Sequence, residues 1–179
     1  MQFEVTSKLK IAYEAGGPSD GHPVVVLLHG WPDDVRTYDR VVPALHAARF
    51  RTVAPYLRGF GDTAFISKDA MRSGEIVAMA QDTIDLADAL NLQKFAVIGH
   101  DWGARIAYAL AIAVPQRLAD CDCVGWLATG RVANPESQTS PSVLVPVVHD
   151  DEARPPSGAK QRKSFRTHPV GELESAGLV

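Results

Sequence analysis

The sequence predicts an α/β fold in which helices flank a parallel β-sheet. The segment Pro23–Leu28 is a continuous aliphatic run, which is typical of a strand buried on both faces of a parallel sheet. Strand-like and helical patterns then alternate as far as about residue 128, and this order requires right-handed crossovers between parallel strands. The chain has 179 residues, 46% of them hydrophobic, and a net charge of −3. These values fit one globular core of roughly 150 residues.

The first elements follow from local patterns. Weak alternation of apolar and polar residues over 2–14 predicts one or two edge strands before the buried strand at 23–28. Apolar residues at helical spacing predict a helix over 36–48, with Pro43 near its first turns. A short parallel strand over 51–54 follows it.

The later elements include a long helix and a strand–turn–helix unit. Apolar spacing predicts a helix that has Ser73 as its N-cap and continues to Leu90. An apolar strand over 94–98 leads into a helix over 104–114, and a last strand is predicted over 121–127.

The segment Gly99-His-Asp-Trp-Gly103 joins that apolar strand to the helix after it. Two glycines around one reactive side chain, between a strand and a helix, form the layout of a nucleophile elbow. The central residue is Asp101, where a lipase or esterase carries serine. A carboxylate is ionised near neutral pH and needs no base to attack, so it suits an alkyl carbon such as that of an epoxide or an alkyl halide. The alternative is that Asp101 is an ordinary helix N-cap.

Two backbone N–H groups are expected to form an oxyanion hole beside Asp101. One belongs to Trp102, directly after the nucleophile, and the other to Trp31, in the loop after the first buried strand. We therefore predict Asp101 as the catalytic nucleophile, and Trp31 and Trp102 as oxyanion donors that also contact the substrate. His29 is expected to brace its loop rather than to transfer protons.

Two further features have a structural and a functional interpretation. The glycines of Arg58–Asp62 suggest a phosphate loop, but the Lys-Ser/Thr of a P-loop is missing, so we interpret the segment as a structural loop. Asp82, Asp85 and Asp88 lie on one face of the long helix, where they could hold a cation. A solvated acidic face is the preferred interpretation. No metal and no cofactor are expected.

Composition and patterning exclude other classes of protein. No apolar run approaches the roughly 18 residues of a membrane span. The segment Met1–Val5 lacks the basic and apolar regions of a secretory signal, so a cytoplasmic location is expected. The charge balance gives no reason to expect nucleic acid as a partner. The expected partner is a small-molecule substrate.

Three motifs together carry a family resemblance. They are His29-Gly-Trp-Pro32, Tyr56-Leu-Arg-Gly-Phe-Gly-Asp-Thr63 and Gly99-His-Asp-Trp-Gly-Ala104. Over roughly residues 3–126 the chain resembles the α/β-hydrolase superfamily, and within it the epoxide hydrolases and their dehalogenase relatives. The resemblance implies the N-terminal part of an α/β-hydrolase parallel sheet with flanking helices, and an enzyme of the epoxide hydrolase type.

The resemblance also implies roles for the site residues. Asp101 is the residue that becomes alkylated, and Trp31 and Trp102 supply the oxyanion N–H groups. In haloalkane dehalogenases the tryptophan after the nucleophile also donates its indole N–H to halide. Those enzymes often carry asparagine where this chain has Trp31, which favours the epoxide interpretation.

The resemblance stops before the second half of the family's site. The family places its acid and its histidine after a helical cap, on two further strands, and the sequence ends before them. His149 and His168 are the only later histidines, and neither has a strand-to-loop context. We expect residues 1–128 to form a partial core without the cap and C-terminal strands, and residues 129–179 to form a disordered, non-homologous tail.

Our hypothesis for the origin of that tail is a shifted reading frame. When allowed codons for Val143–Asp151 are translated one base later, they give the aromatic string Tyr-Trp-Tyr-Gln-Trp-Phe-Met-Thr-Thr, which is similar to the family's cap. We place the shift after about residue 125; an unrelated natural tail is the alternative. The nucleotide sequence of the gene distinguishes the two.

These features set expectations for activity. Attack by Asp101 needs no base, but release of the resulting ester needs an activated water, so the chain is expected to be impaired. The alternatives are a haloalkane or haloacid dehalogenase that uses the same Asp101, and a non-catalytic truncated fragment. The unpaired edge of the last strand predicts self-association.

Overall fold

The computed structural model describes residues 1–18, 21–125 and 128–131. In these ranges the chain forms β-strands, α-helices and short 3₁₀ helices. The strands are β1 (Gln2–Val5), β2 (Leu9–Gly16), β3 (Val24–Leu28), β4 (Arg51–Pro55), β5 (Ala64–Phe65), β6 (Phe95–His100), β7 (Leu118–Gly125) and β8 (Ala128–Arg131). The α-helices are α1 (Val42–Ala47), α2 (Ile76–Ala89) and α3 (Trp102–Ala113), and short 3₁₀ helices cover Val35–Tyr38 and Pro115–Arg117.

One mixed sheet organises these elements. Its strand order is β1-β2-β4-β3-β6-β7-β8, and β5 pairs with β2. The four central strands β4, β3, β6 and β7 are parallel, whereas β1, β2 and β8 pair antiparallel to their neighbours. The predicted α/β fold with a central parallel sheet is confirmed.

Strand β3 lies inside the sheet and is covered on both faces. Val24, Val26 and Leu28 pack into the apolar cluster that contains residues of α2 and α3, whereas Val25 and Leu27 pack into the cluster that contains Leu45 of α1. This alternation explains why the strand needs no polar face, and it confirms the interpretation of the aliphatic run.

The pairing of β3 with β6 determines where the site forms. The two strands run parallel, and Leu28 at the end of β3 lies beside Gly99 near the end of β6. Since parallel strands end at the same edge of a sheet, the loops that follow β3 and β6 must meet there. Ligand sites of open α/β sheets form at this carboxyl edge.

The predicted helix over 36–48 is wrong in its extent. A 3₁₀ helix at Val35–Tyr38 comes first, and α1 covers only Val42–Ala47, with proline in its first turn. Proline is tolerated only in the first turn of a helix, so Pro43 requires α1 to begin just before it. The helix stops before Arg49, whose φ of 64° is left-handed.

Two other predicted boundaries are also wrong. The N-cap of α2 is Glu75 rather than Ser73, because Ser73 instead forms a turn in which its Oγ accepts the N–H of Glu75 at 3.1 Å. The last predicted strand, 121–127, begins earlier in the structure, as β7 at Leu118.

The edge of the sheet at β7 differs from the expectation that the last strand has an unpaired edge. Strand β8 pairs antiparallel with β7, so β7 is not an edge strand. Strand structure continues three residues past the boundary expected at 128. The rest of the expected tail, from residue 132, lies outside the described residues, as do His149 and His168. Self-association stays a prediction.

Membrane insertion through a helix has no support in the described part of the chain. None of its helices has the length and apolarity needed to cross a bilayer.

Candidate active site

Asp101 occupies a sharp turn between β6 and α3. Its backbone has φ of 51° and ψ of −110°, and it is one of three described residues other than glycine with a positive φ. A non-glycine side chain is uncommon in this region because its Cβ crowds the backbone. Such outliers cluster at functional sites, where the surrounding structure holds them in place.

Two glycines allow α3 to pass close to the strands beneath it. A Cβ on Gly99 would collide with the carbonyl oxygen of Gly103, and a Cβ on Gly103 would collide with the carbonyl oxygen of Leu28. Since any larger residue would force the helix away from β3 and β6, the glycines predicted around Asp101 are a steric requirement of the turn.

The Asp101 carboxylate points at the loop that follows β3. Its Oδ2 accepts the backbone N–H of Trp31 at 2.9 Å, across 70 residues of sequence. Asp101 occupies the N-cap position of α3, but its side chain makes no capping hydrogen bond to the helix. The alternative of an ordinary N-cap aspartate is therefore wrong.

The two tryptophans predicted as donors come from different segments: Trp31 from the loop after β3, and Trp102 from the residue directly after Asp101. The Trp31 side chain is 67% exposed, and only its backbone binds Asp101. Trp102 is the first residue of α3, so its N–H is one of the four at a helix start that have no acceptor within the helix. A Cβ on Gly30 would lie 2.6 Å from the Cβ of Asp101, so the loop and the turn are in close contact.

Comparison with known proteins assigns the chain to a protein family. A model of the family described as "alpha/beta hydrolase fold" matches residues 23–133, more than half of the chain. The chain belongs to the alpha/beta hydrolase fold family. The matched region contains the elbow, the loop of Trp31 and the parallel strands that carry them.

Several curated relatives of this alpha/beta hydrolase chain carry epoxide hydrolase names. It is 43% identical over 91 residues to the "Soluble epoxide hydrolase" of Corynebacterium sp. (strain C12), covering 51% of the chain and 30% of that relative. It is 30% identical over 125 residues to "Epoxide hydrolase A" of Mycobacterium tuberculosis, covering 70% of the chain and 38% of the relative. The chain therefore spans about a third of the length of the curated relatives it matches.

Solved structures agree with these relatives. A putative epoxide hydrolase from Klebsiella pneumoniae superposes with a TM-score of 0.65 at 43% sequence identity, covering 68% of this chain and 40% of that one. Epoxide Hydrolase A from Mycobacterium thermoresistibile superposes with a TM-score of 0.62 at 31% identity, covering 69% and 37%. The N-terminal part of the alpha/beta hydrolase fold is thus shared over the described sheet.

His29 braces the loop of this hydrolase fold, as expected. The ring is fully buried, and its Nε2 accepts the N–H of Leu57 at 3.1 Å. Its proton therefore lies on Nδ1, which donates to the carbonyl of Gly30 at 2.9 Å. Burial lowers the pKa of His29, which keeps the ring neutral. The residue joins the loops after β3 and β4 and has no free nitrogen for proton transfer.

The acidic face predicted on α2 is wrong for Asp82. Its carboxylate is buried and accepts two hydrogen bonds of 2.6 Å from the guanidinium of Arg58. Burial raises the pKa of Asp82, and the hydrogen bonds and charge of Arg58 counter part of that rise. Asp85 and Asp88 are bonded instead to Ser7 and Arg117. Because Arg58 is itself buried here, the predicted structural role of its loop is confirmed.

One contact beside the nucleophile was missed by sequence reasoning. The Nδ1 of His100, directly before Asp101, lies 3.9 Å from Oδ2 of Asp33 in the loop after β3. That nitrogen is buried and has no hydrogen-bond partner. His100 belongs to the elbow motif and Asp33 directly follows the His29–Pro32 motif, but no spacing rule relates positions that far apart. The contact adds a second link between the loop and the elbow.

Groups for other chemistry are sparse in the described ranges. Residues 1–18, 21–125 and 128–131 contain no cluster of three His, Cys, Asp or Glu side chains that could hold a metal. None of the four histidines in those ranges hydrogen-bonds to Asp101. The described site therefore consists of the Asp101 carboxylate, held by the backbone N–H of Trp31; the Trp102 N–H as a second donor stays a prediction.

Proposed function

We propose that this chain carries the nucleophile of an epoxide hydrolase and forms an alkyl ester on Asp101. The observation that carries the proposal is the 2.9 Å hydrogen bond from the Trp31 N–H to the Asp101 carboxylate. One carboxylate oxygen is held by the backbone, which leaves the other for attack. The names of the curated relatives support an epoxide as the substrate class.

The proposed step conserves atoms and charge. The free oxygen of Asp101 bonds to an epoxide carbon while the carbon–oxygen bond of the ring breaks. The ring oxygen leaves with the electron pair, stays attached to the neighbouring carbon and takes a proton from solvent. The N–H groups of Trp31 and Trp102 would hold the spare carboxyl oxygen and stabilise charge on it when water later attacks the ester.

Ester release is the slow step in this proposal. A carboxylic ester reacts slowly with neutral water, and a positioned base accelerates the reaction. Since no described histidine bonds to Asp101, we expect the ester to persist, so that the chain reacts once and then stops. Steady turnover by the purified 179-residue chain would contradict this expectation.

Mass spectrometry tests the nucleophile. After incubation with styrene oxide, the intact protein should gain the mass of one epoxide, and peptide mapping should place it on Asp101. The Asp101→Ala variant should gain none. Asp69→Ala is the matched control, because Asp69 is an exposed carboxylate in a loop, and it should react like the wild type. Equal labelling of all three proteins would reject Asp101 as the nucleophile.

An alkyl halide is the second candidate substrate, because the same carboxylate could displace halide. Incubation with 1-bromobutane or with 2-bromopropionate, followed by measurement of free bromide, distinguishes a haloalkane or a haloacid dehalogenase, respectively, from an epoxide hydrolase. Bromide release that depends on Asp101 and exceeds labelling by styrene oxide would favour the dehalogenase. A protein that reacts with none of styrene oxide, 1-bromobutane and 2-bromopropionate in these tests would be a non-catalytic member of the family.

A further inference from the structure

Strand β1 is the edge strand at the opposite end of the sheet from β8. It pairs with β2 on one side, and within the described ranges no strand pairs with its other side. An edge strand presents a row of backbone N–H and C=O groups that another strand can bind, and lysine, proline or a β-bulge commonly protects it. Strand β1 contains neither lysine nor proline, and its pairing with β2 is regular throughout.

The hydrogen bonds of Ala12 show which backbone groups of β1 lie at the open edge. Ala12 lies opposite Phe3, but its backbone bonds to the other side of β2. Its N–H donates to Oγ1 of Thr63 at 3.0 Å, and its carbonyl accepts the N–H of Tyr56 at 2.9 Å. Phe3 and Ala12 are therefore a pair without mutual hydrogen bonds. Because bonded and non-bonded pairs alternate along an antiparallel ladder, the N–H and C=O groups of Phe3 and Val5 point away from β2.

An exposed apolar row accompanies these backbone groups. Met1, Phe3 and Val5 are 62%, 41% and 66% exposed, and side chains two residues apart in a strand share one face. Three of the eight exposed large hydrophobic side chains in the described ranges thus lie on this short segment. The polar residues between them, Gln2 and Glu4, lie on the opposite face. The edge therefore offers both unpaired backbone groups and apolar surface to a second strand.

We propose that two copies of this chain pair through β1 as an antiparallel dimer, with the two-fold axis beside Phe3. Each Phe3 then donates its N–H to the carbonyl of Phe3 in the other copy. Val5 lies opposite Met1 of the second copy and donates its N–H to that carbonyl. The pairing uses the backbone groups that point away from β2, and it places the apolar rows of the two copies on the same face, as a two-fold interface requires.

Charge favours this register over its neighbour. With the axis beside Phe3, Glu4 lies opposite Gln2 of the second copy, and an amide can donate to a carboxylate there. A slip of two residues keeps the same backbone groups at the edge, but it puts the two Glu4 carboxylates opposite each other, which is destabilising. A slip of one residue uses the backbone groups of Gln2 and Glu4, which face β2. The edge is therefore complementary to a second copy of itself in one register.

The proposed interface is separate from the elbow. In the order of the sheet, β2, β4 and β3 lie between β1 and β6, the strand that leads to Asp101. It also differs from the edge of β7, where the sequence predicts self-association. Labelling of Asp101 should not depend on the dimer, so the inference stands or fails independently of the proposed function.

Sedimentation equilibrium of the purified chain tests the dimer. A pair of short strands forms a small interface, so we expect a weak dimer with a Kd in the micromolar range. Over about a hundredfold range of concentration around such a Kd, the average mass should rise from that of one copy towards that of two. A mass of one copy at every concentration would overturn the inference and leave the edge to an extended segment of another protein.

Phe3→Lys tests the position of the axis. It replaces an apolar contact with two like charges that face each other, so the Kd of the dimer should rise by about tenfold or more. Ile112→Lys is the matched control, because Ile112 is 84% exposed near the end of α3, which packs against β3, β6 and β7. Its Kd should equal that of the wild type. A dimer unchanged by Phe3→Lys would overturn the inference.

Two substitutions of Val5 separate backbone pairing from apolar contact. Val5→Pro removes an N–H that points away from β2, and proline is tolerated at such positions of an edge strand. Circular dichroism should therefore show a retained fold, whereas the dimer should be lost. Val5→Thr keeps the N–H and the preference for a strand, so it should retain most of the association. Equal association of the two variants would show that the backbone of β1 does not form the interface.

Two substitutions of Gln2 test the register. Gln2→Lys places a cation opposite Glu4 of the second copy, and Gln2→Glu places a carboxylate there. The Kd should fall about threefold in the first variant and rise about threefold in the second, as expected for cross-strand charge pairs. The same Kd in both variants would reject the register and, with it, the proposed dimer.

Discussion

The candidate site depends on backbone positions as much as on the Asp101 side chain. The left-handed φ of Asp101 costs about 1–3 kcal/mol for a residue with a side chain. The conformation persists because the elbow is clamped between α3 and the loop of Trp31. The lack of a side chain at Gly30 permits that clamp, since any Cβ there would meet the Cβ and the carboxylate of Asp101.

We therefore expect Gly30→Ala to separate the Trp31 N–H from the Asp101 carboxylate. Labelling of Asp101 by styrene oxide should slow by about tenfold or more, since loss of one such donor is costly in related chemistry. Intact-protein mass spectrometry against time measures the rate, and circular dichroism checks that the fold is retained. Gly74→Ala is the control, because a Cβ at Gly74 meets nothing within 4 Å. An unchanged rate in a folded Gly30→Ala protein would contradict the expected role of the loop.

Sequence reasoning placed Asp101, Trp31 and His29 in their structural context because each belongs to a local motif beside a recognisable strand. It failed for Asp82 and for the His100–Asp33 contact. Helical spacing places Asp82 on the same face as Asp85, but it does not say that Arg58 from a distant loop covers one of them. Partners brought together only by the tertiary fold leave no local periodicity.

At the level of elements, Arg58 joins the loop after β4 to α2. Its guanidinium bonds to the Asp82 carboxylate and donates to the carbonyls of Ser73 and Ala78 at 2.8 and 3.0 Å. These bonds engage the segment before α2 as well as the first turns of the helix. They also show why Ser73 is not the N-cap, since its backbone is held in the preceding turn.

We expect Asp82→Ala to lower the free energy of unfolding by about 3–5 kcal/mol, because it leaves a buried guanidinium without its counter-charge. The double variant Arg58→Met, Asp82→Leu should lose clearly less than the sum of the single changes. Urea denaturation measures each value. Asp85→Ala removes a partly buried carboxylate of the same helix, whose hydrogen bonds to Ser7 and Gln81 lie at the surface, and it should cost less than about 1 kcal/mol. A similar small cost for Asp82→Ala would show that the pair does not secure α2.

Element identities were more predictable than element boundaries. The strands β3 and β6 and the helix α3 follow from apolar runs interrupted by glycine, which are strong local signals. Strand β7 begins at Leu118, directly after a 3₁₀ helix, and nothing in the local pattern marks that change. Its start depends on pairing with Phe95 of β6, a contact of the assembled sheet.

For the molecule as a whole, His29 and Asp82 are the buried groups of the described residues that shape the dependence of stability on pH in the acidic range. Burial lowers the pKa of His29 from 6.5, so the folded state takes up a proton less readily than the unfolded state. The resulting loss of stability begins as the pH falls through about 6.5. Burial raises the pKa of Asp82 from 3.8, so its effect has the opposite sign and begins as the pH rises above about 3.8.

Between pH 7.5 and 5.5 we expect the wild type to lose stability relative to His29→Gln. The slope that His29 adds is at most about 1.4 kcal/mol per pH unit, the value for one proton. Urea denaturation at several pH values measures the difference between the two proteins. The matched control is His22→Gln, which leaves His29 in place and should follow the wild type. Parallel curves for the wild type and His29→Gln would show that protonation of His29 is not linked to unfolding.

The position of β3 in the sheet has a consequence for biosynthesis. Both strands that flank it come later in the chain, and its partner β6 begins at Phe95. A ribosome adds about 5–20 residues per second, so the hydrophobic segment Val24–Leu28 leaves the ribosome roughly 4–14 seconds before β6 does. During that interval the nascent chain exposes a hydrophobic segment that has no strand partner. We therefore expect a chaperone to bind this segment and to prevent aggregation.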